Sequence, residues 1–292
     1  MSNISLPWLG HGIEAAAVAL FAWCWLDARR RHPTVAAELI VAAVYGWLLE
    51  VLDMWIFGTY HYEPGTWWWI GRVPLYIPLL WATIVHSSMV ISDRTGLPVW
   101  ARPWLDGLLA VLIDLSVDAI AIRAGLWQWR IGLHEGWFGV PAGNLCAWMW
   151  VAAWYGGITR LVRWRIDARG EPRWHRWLIP IVAYTGLFAS LFAIGITGEF
   201  LGLKTPNQKL WLFAAHVIGF GAVVGAARRH RRAPGPPILS SLVWNRWLIH
   251  LAFFALLTAG GIWRHTPALL GVSLGAMALE AAAQRELRST VN

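Results

Sequence analysis

Apolar residues in this chain of 292 residues are grouped into nine blocks, which short polar connections separate. Each block holds roughly the ~20 residues that a helix needs to cross ~30 Å of hydrocarbon. The pattern therefore predicts an all-α, polytopic helical membrane protein with eight or nine transmembrane helices. The predicted spans are residues 7–26, 35–57, 73–92, 105–127, 140–159, 177–203, 210–227, 244–263 and 267–284.

The first block is interrupted by His11 and Glu14, so the sequence leaves open whether residues 7–26 cross the bilayer or lie in its plane. No soluble domain interrupts the other blocks, and we predict a single integral membrane domain over residues 1–292. The chain is 58% hydrophobic and only 14% charged, whereas soluble domains carry about 25% charged residues. Composition therefore supports the membrane assignment independently of the spacing.

Basic residues are distributed unevenly between the two sides that alternating spans define. Of the 24 Lys and Arg residues, 17 lie in the connections after the first, third, fifth and seventh spans or in the C-terminal tail. Lysine and arginine concentrate in the cytoplasmic loops of membrane proteins. We therefore predict a multi-pass protein of the cell (inner) membrane with a cytoplasmic C-terminus. This topology accounts for the net charge of +8, and no nucleic-acid partner is predicted.

Two carboxylates lie inside the fourth predicted span, where a charge near the bilayer centre costs at least ~2.5–3.5 kcal/mol. Asp114 and Asp118 are four residues apart and therefore project from one helical face. The pair must face protein, water or each other, and at least one carboxyl can hold a proton at neutral pH. Glu50 and Asp53 share a face near the end of the second span. After about residue 165 the chain is plainer, because the first half holds most of the intramembrane carboxylates.

The remaining polar residues of the spans give weaker indications of chemistry. His86, Glu199 and His216 are isolated, and a lone polar residue in a helix bundle usually hydrogen-bonds a neighbouring helix. HxxxH, HExxH and paired-cysteine patterns are absent from the sequence, so no metal site is predicted.

Buried carboxylates in apolar, aromatic-rich surroundings suit one type of reaction. A carboxylic acid that desolvation keeps neutral can protonate a weakly basic group, and Trp or Tyr rings can stabilise a cation that water does not reach. Together they suit protonation of an alkene to a tertiary carbocation, which water then captures. The spacing alone does not separate this chemistry from proton transport.

Two connections on the side opposite the basic loops are long and aromatic. GTYHYEPGTWWWIGR follows the second span, and QWRIGLHEGWFG follows the fourth. Trp67, Trp68 and Trp69 are too bulky and apolar for an ordinary solvated loop. We interpret them as an anchor in the headgroup region, with a lid over the bundle as the alternative.

Five sequence elements follow one another in order between Glu50 and about Arg160. They are Glu50 itself, the FGxYxY segment at 57–62, the GxVPxxIPLxW segment at 71–81, the DxxxD pair with its WxW end at 127–129, and the GxPxxNxxxW element at 139–148. Their order and spacing resemble those of the carotenoid 1,2-hydratase membrane family, which includes gamma-carotene hydratase and bisanhydrobacterioruberin hydratase. The family-like part covers about residues 35–165, and the C-terminal helices in 166–292 are less recognisable.

The resemblance implies acid-catalysed addition of water to a terminal double bond of a carotenoid or related isoprenoid lipid in the bilayer, without a cofactor. Asp114 or Asp118 is then expected to donate the proton while the other orients it or activates water, and Glu50 is a second acid/base candidate. The residues expected to position water or contact the substrate are Asn144, Tyr60, Tyr62, Trp81, Trp127, Trp148 and Asp53.

The chain departs from the family pattern at two places. Residues 51–56 read VLDMWI where a run rich in Gly, Ser and Thr is expected, and Ala119 stands where proline commonly follows the second aspartate. A non-catalytic carotenoid- or prenyl-lipid-binding membrane protein, or a subunit of a pigment complex, is therefore the leading alternative. An enzyme acting on a prenyl phosphate and a transporter are further alternatives.

Overall fold

A computed structural model describes residues 9–31, 33–232 and 240–288 of the chain. Within these residues each predicted span coincides with one α-helix, and the all-α class is confirmed; the start of the predicted span 7–26 lies outside them. The helices are α1 (Leu9–Arg31), α2 (Pro33–Ile56), α3 (Tyr76–Arg94), α4 (Arg102–Arg123), α5 (Ala142–Arg169), α6 (Ile179–Phe200), α7 (Pro206–Ala227), α8 (Ser240–Ala259) and α9 (Ala268–Arg288). The strands are β1 (Tyr60–Tyr62), β2 (Trp69–Ile70), β3 (Val73–Pro74) and β4 (Trp127–Trp129).

Three segments of the described chain are long and apolar enough to cross a membrane, by length and composition. They are Pro33–Ile56, Arg173–Phe200 and Pro206–His230. Several other helices contain charged side chains that lower their mean hydropathy, and some of these side chains, such as Asp114 and Glu280, are buried inside the bundle. That these other helices also cross the bilayer stays a prediction.

Helix α4 lies at the centre of the bundle and packs against α3, α5, α7, α8 and α9. Most of its length is buried, including both aspartates of the predicted pair. Helices α6 and α7 lie at the periphery, where Phe200 and Trp211 are 87% and 74% exposed. Large apolar side chains exposed in this way fit a helix surface that contacts lipid.

Two antiparallel strand pairs lie at one end of the bundle, here called the ribbon end, and the sequence did not predict them. β1 pairs with β4, and β2 pairs with β3. Gly58 and Gly125 precede β1 and β4 with φ of 57° and 75°, a conformation that lets the chain turn from helix to strand and that glycine adopts readily. Strands of two or three residues are too short for hydrophobic periodicity to reveal.

The opposite end of the bundle is cross-linked by buried ion pairs. Arg160 in α5 contacts Asp106 in α4 at 2.5 Å and Asp93 in α3 at 2.7 Å. Arg163 pairs with Glu38 in α2 and lies 3.4 Å from Asp93. The count of basic residues places both arginines in a connection, whereas in the structure they lie within α5 and hold four helices together.

A second buried ion pair joins the two C-terminal helices to the centre of the bundle. Arg246 of α8 donates to the two carboxylate oxygens of Glu280 in α9 at 2.6 and 2.7 Å, and both side chains are 0% exposed. The guanidinium also donates to Ser88 Oγ of α3 at 3.0 Å and to the Leu109 carbonyl of α4 at 2.7 Å. The second half of the chain is therefore less plain than its sequence suggested, because Arg246 links α8 to α9, α3 and α4.

Removing one partner of the Arg246–Glu280 pair is expected to destabilise the fold more than replacing both. Glu280→Ala leaves the guanidinium buried without its counter-charge, which typically lowers the free energy of unfolding by about 3–5 kcal/mol. In the double variant Arg246→Met/Glu280→Met, apolar side chains fill the same space, so the loss is expected to be smaller. Denaturant unfolding of the purified protein in detergent micelles measures both values.

Glu199→Ala is the matched control, because Glu199 pairs with Lys204 at the surface, where both side chains are well exposed. This variant is expected to leave the unfolding midpoint unchanged. A double variant less stable than Glu280→Ala would contradict the role assigned to the buried pair.

Candidate functional site

A cavity of about 90 Å³ lies near the ribbon end, between α2, α3, α4 and α5. Nine of the ten predicted site residues line it: Glu50, Asp53, Tyr60, Tyr62, Trp81, Asp118, Trp127, Asn144 and Trp148. The tenth, Asp114, is not in the cavity wall and accepts a hydrogen bond from the Asn144 amide that also contacts Asp118. The structure thus brings these residues together, while their roles stay predictions.

Glu50 is nearly buried and is held by three hydrogen-bond donors. The hydroxyls of Tyr60 and Tyr62 donate to Oε2, the latter at 2.5 Å, and the Trp81 indole N–H donates to Oε1 at 2.7 Å. An indole N–H can only donate, and an ionised carboxyl group only accepts. The carboxylate form of Glu50 therefore satisfies all three donors and fixes both of its oxygens in the cavity wall.

Asp114 and Asp118 are buried together, and one amide group contacts both. The Asn144 amide donates to Asp118 Oδ2 at 2.5 Å and to Asp114 Oδ2 at 3.2 Å. Two negative charges buried beside one shared donor repel each other, so a proton on one of the two carboxyl groups is favoured. Asp118 faces the cavity, and Asp114 supports it from behind.

The β1–β4 ribbon forms an aromatic wall through alternate residues. Its register pairs Tyr60 with Trp129 and Tyr62 with Trp127, and the ring centroids are 4.7 and 6.1 Å apart. Successive side chains of a strand point to opposite faces, so these four rings line the cavity and the residues between them are exposed. Burial raises the pKa of Tyr60 and Tyr62 well above the usual value, and the charge of Glu50 raises it further. Both phenols therefore keep their protons and remain donors.

The aromatic wall continues into the bundle, where Trp81 of α3 and Trp148 of α5 have ring centroids 4.2 Å apart. The cavity also contains residues that were not among the predicted site residues: Trp129, Tyr76, Ile249 and Phe253. Trp129 could have been found from its alternation with Trp127 in the WxW element. No local sequence pattern indicates the two α8 residues, because they reach the cavity through long-range helix packing.

A second cavity of about 250 Å³ adjoins the first, between α2, α5, α6 and α7. Asp53, Trp129 and Asn144 line both cavities and therefore mark the junction between them. The walls of the second cavity are mostly small or apolar and include Gly195 and Gly198 of α6. The two cavities thus share part of their walls, and both are largely apolar.

The other polar residues considered from the sequence lie outside these cavities. Glu199 is exposed and pairs with Lys204, His86 is buried in α3, and His216 contacts a carbonyl of its own helix. The segment GVSLG at 271–275 matches the serine hydrolase pattern, but it lies inside α9 and not at the strand-to-helix turn that this pattern requires. In the described part of the chain, no group of three or more His, Cys, Asp or Glu side chains could hold a metal ion.

The three consecutive tryptophans of the first aromatic connection line neither cavity. The backbone N–H groups of Trp67 and Trp68 donate to the buried carboxylate of Glu14 at 2.6 and 3.0 Å, and Trp67 stacks on His11 at 4.3 Å. The polar residues that interrupt the first apolar block therefore tie this connection to α1. The placement gives no support to a lid, and the interfacial anchor stays a prediction.

The fold is that of a helical protein with apolar segments of membrane-spanning length. Its helices surround a cavity that is lined by aromatic rings and carboxyl groups. The chain belongs to the carotenoid biosynthesis protein family, whose family model matches residues 10–205. The match contains every predicted site residue and extends beyond residues 35–165 on both sides, but α7, α8 and α9 lie outside it. No curated protein and no solved structure matches the chain.

Tyr62→Phe is expected to destabilise the protein, because it removes one donor to Glu50 and keeps the ring. A hydrogen bond to a charged group contributes about 1.5–3 kcal/mol, and the free energy of unfolding is expected to fall by that amount. Denaturant unfolding in detergent micelles provides the measurement. The control is His61→Phe, one residue away on the exposed face of β1. Equal losses in the two variants would show that the Glu50 contact contributes nothing.

Proposed function

We propose that this protein is a membrane hydratase that adds water to a terminal double bond of a carotenoid or related isoprenoid by acid catalysis. One observation carries the proposal: Glu50 and Asp118 line one aromatic and mainly apolar cavity, and the Asn144 amide joins Asp118 to the buried Asp114 behind it. Membership of the carotenoid biosynthesis protein family supports an isoprenoid substrate.

Asp118 is the proton donor in this proposal, because its carboxyl group faces the cavity and Asp114 lies behind it. The Asp118 O–H bond breaks and a C–H bond forms at the less substituted alkene carbon, using the electron pair of the double bond. A tertiary carbocation remains at the other carbon. A pair that starts with both carboxyl groups protonated keeps one shared proton after the transfer, so donation does not leave two adjacent charges.

The surrounding side chains suit the positive charge that this step creates. The faces of Trp81, Trp127 and Trp148 can stabilise a cation in the absence of bulk water. The Glu50 carboxylate supplies a fixed negative charge in the same cavity, and charges that are fixed in advance stabilise a developing charge most effectively. Tyr60 and Tyr62 hold Glu50 in place.

Water completes the reaction. Its oxygen bonds to the cationic carbon, and the proton that it loses returns to Asp118, which restores the acid. The Asn144 amide, which already contacts Asp118, and the tyrosine hydroxyls of the ribbon are the groups that position this water. The net change is the addition of one water molecule across the double bond, giving a tertiary alcohol.

The shape of the site suits a long isoprenoid chain. The cavity that contains the carboxyl groups accepts the chain end, and the adjoining cavity between α5, α6 and α7 accepts the following isoprene units. Asp53 lies at the junction between the two cavities. It belongs to the segment in which this chain departs from the hydratase pattern, so it is expected to contact the substrate and not to transfer the proton.

Expression in a host that accumulates lycopene tests the proposal. Extracts of cells that express the wild-type protein are expected to contain a carotenoid with the mass of one added water molecule. Asp118→Asn and Asp114→Asn are each expected to lower product formation by about 10²–10⁴-fold, the usual contribution of general acid catalysis. Mass spectrometry of the extracts measures both effects.

Glu199→Gln is the control, because it removes a helix carboxylate that lies outside both cavities. It is expected to retain full activity. Full activity of both aspartate variants would remove the pair from the mechanism. A folded wild-type protein that retains lycopene and leaves it unchanged would support the non-catalytic binding role instead.

We further propose that the protein crosses the cell (inner) membrane several times with its C-terminus in the cytoplasm. The basic residues in the alternate connections and the C-terminal tail support this topology. Green fluorescent protein fused after Asn292 is therefore expected to fluoresce, and alkaline phosphatase fused at the same position is expected to be inactive. The opposite pair of results would reverse the orientation.

A further inference from the structure

Helix α8 forms part of the wall of the cavity that holds the carboxyl groups, although it lies outside the residues that match the family. Its side chains Ile249 and Phe253 line the same cavity as Glu50 and Asp118. Both are almost fully buried, at 4% and 7% exposure. The residues that match the family model therefore supply the carboxyl groups of the cavity. Helix α8, which lies outside that match, supplies part of the cavity wall.

The orientation of α8 is fixed by a charged contact on the same helical face. Arg246, Ile249 and Phe253 are three and four residues apart, so they lie on one side of the helix. The buried guanidinium donates two hydrogen bonds to α9 and one each to α3 and α4. Rotation of α8 would bury this charge without its partners, which is strongly unfavourable. The hydrogen bonds of Arg246 therefore keep Ile249 and Phe253 facing the cavity.

We infer that α8 determines which isoprenoid end group the cavity accepts, with Ile249 and Phe253 as the specificity-determining residues. The inference rests on the proposed function and deepens it, since it concerns the substrate of the same site. The two bulky side chains reduce the width of the cavity next to the carboxyl groups. An acyclic end group is narrower than a cyclised one, so the α8 wall favours the acyclic end.

The affinities for two probes test this inference: lycopene, which is acyclic at both ends, and β-carotene, which is cyclised at both ends. Purified protein in detergent micelles is titrated with each probe, and quenching of tryptophan fluorescence gives the Kd. The wild type is expected to bind lycopene more tightly. Ile249→Ala and Phe253→Ala are each expected to lower the ratio of the two affinities about tenfold, since one methylene group in an apolar pocket changes discrimination by about 10–200-fold.

Leu251→Ala is the matched control, because it removes the same number of carbon atoms from the same helix as Ile249→Ala. Leu251 is 42% exposed and does not line the cavity, so the affinity ratio is expected to stay at the wild-type value. Ile249→Val and Phe253→Leu are expected to shift the ratio in the same direction by a smaller factor. These conservative variants decide the question if an alanine variant does not fold.

An unchanged ratio in folded Ile249 and Phe253 variants overturns the inference. So does an equal change in Leu251→Ala, or a wild-type protein that binds neither probe or binds both equally. The binding measurement needs no turnover. A wild-type protein that hydrates no isoprenoid therefore overturns the proposed function, while the affinity ratio still decides the role of α8.

Discussion

A charge buried among apolar helices is stable only where a partner compensates it, and this constraint organises the bundle. At one end, arginines of α5 compensate acids from α2, α3 and α4. Between the C-terminal helices, Arg246 compensates Glu280. At the ribbon end, the carboxyl groups accept hydrogen bonds from hydroxyl, indole and amide donors. A carboxylate paired with arginine is ionised and has no proton to donate. The carboxyl groups that can donate a proton therefore lie at the ribbon end.

The ion pairs also explain how the site keeps its geometry without a salt bridge inside it. Three helices carry a charged anchor toward one end and a site residue toward the other. The anchor and site residue are Glu38 and Glu50 in α2, Asp106 and Asp118 in α4, and Arg160 and Asn144 in α5. They are about 18–24 Å apart along each helix at ~1.5 Å per residue. The anchors fix the positions of the helices, and the site residues remain available for hydrogen bonds.

Much of this arrangement could be predicted from the sequence, because the signals are local. The apolar blocks located the helices, and the ordered elements from Glu50 to Trp148 identified nine residues of one cavity. The remainder depends on packing between distant segments. A buried arginine and a loop arginine cannot be told apart by residue type, so the sequence placed Arg160 in a connection and did not reveal the buried ion pair of Arg246. The contribution of α8 to the cavity likewise has no local signature.

The β1–β4 ribbon has a consequence for how this chain can vary in length. Its strands come from two separate connections, and the alternate residues of each strand face the cavity. Inserting or deleting one residue within β1 would exchange the tyrosines for His61 at the cavity face, since a shift by one residue reverses the two faces of a strand. Length changes in homologous chains should therefore accumulate between β1 and α3 or after β4, while the two three-residue strands keep their spacing from Gly58 and Gly125.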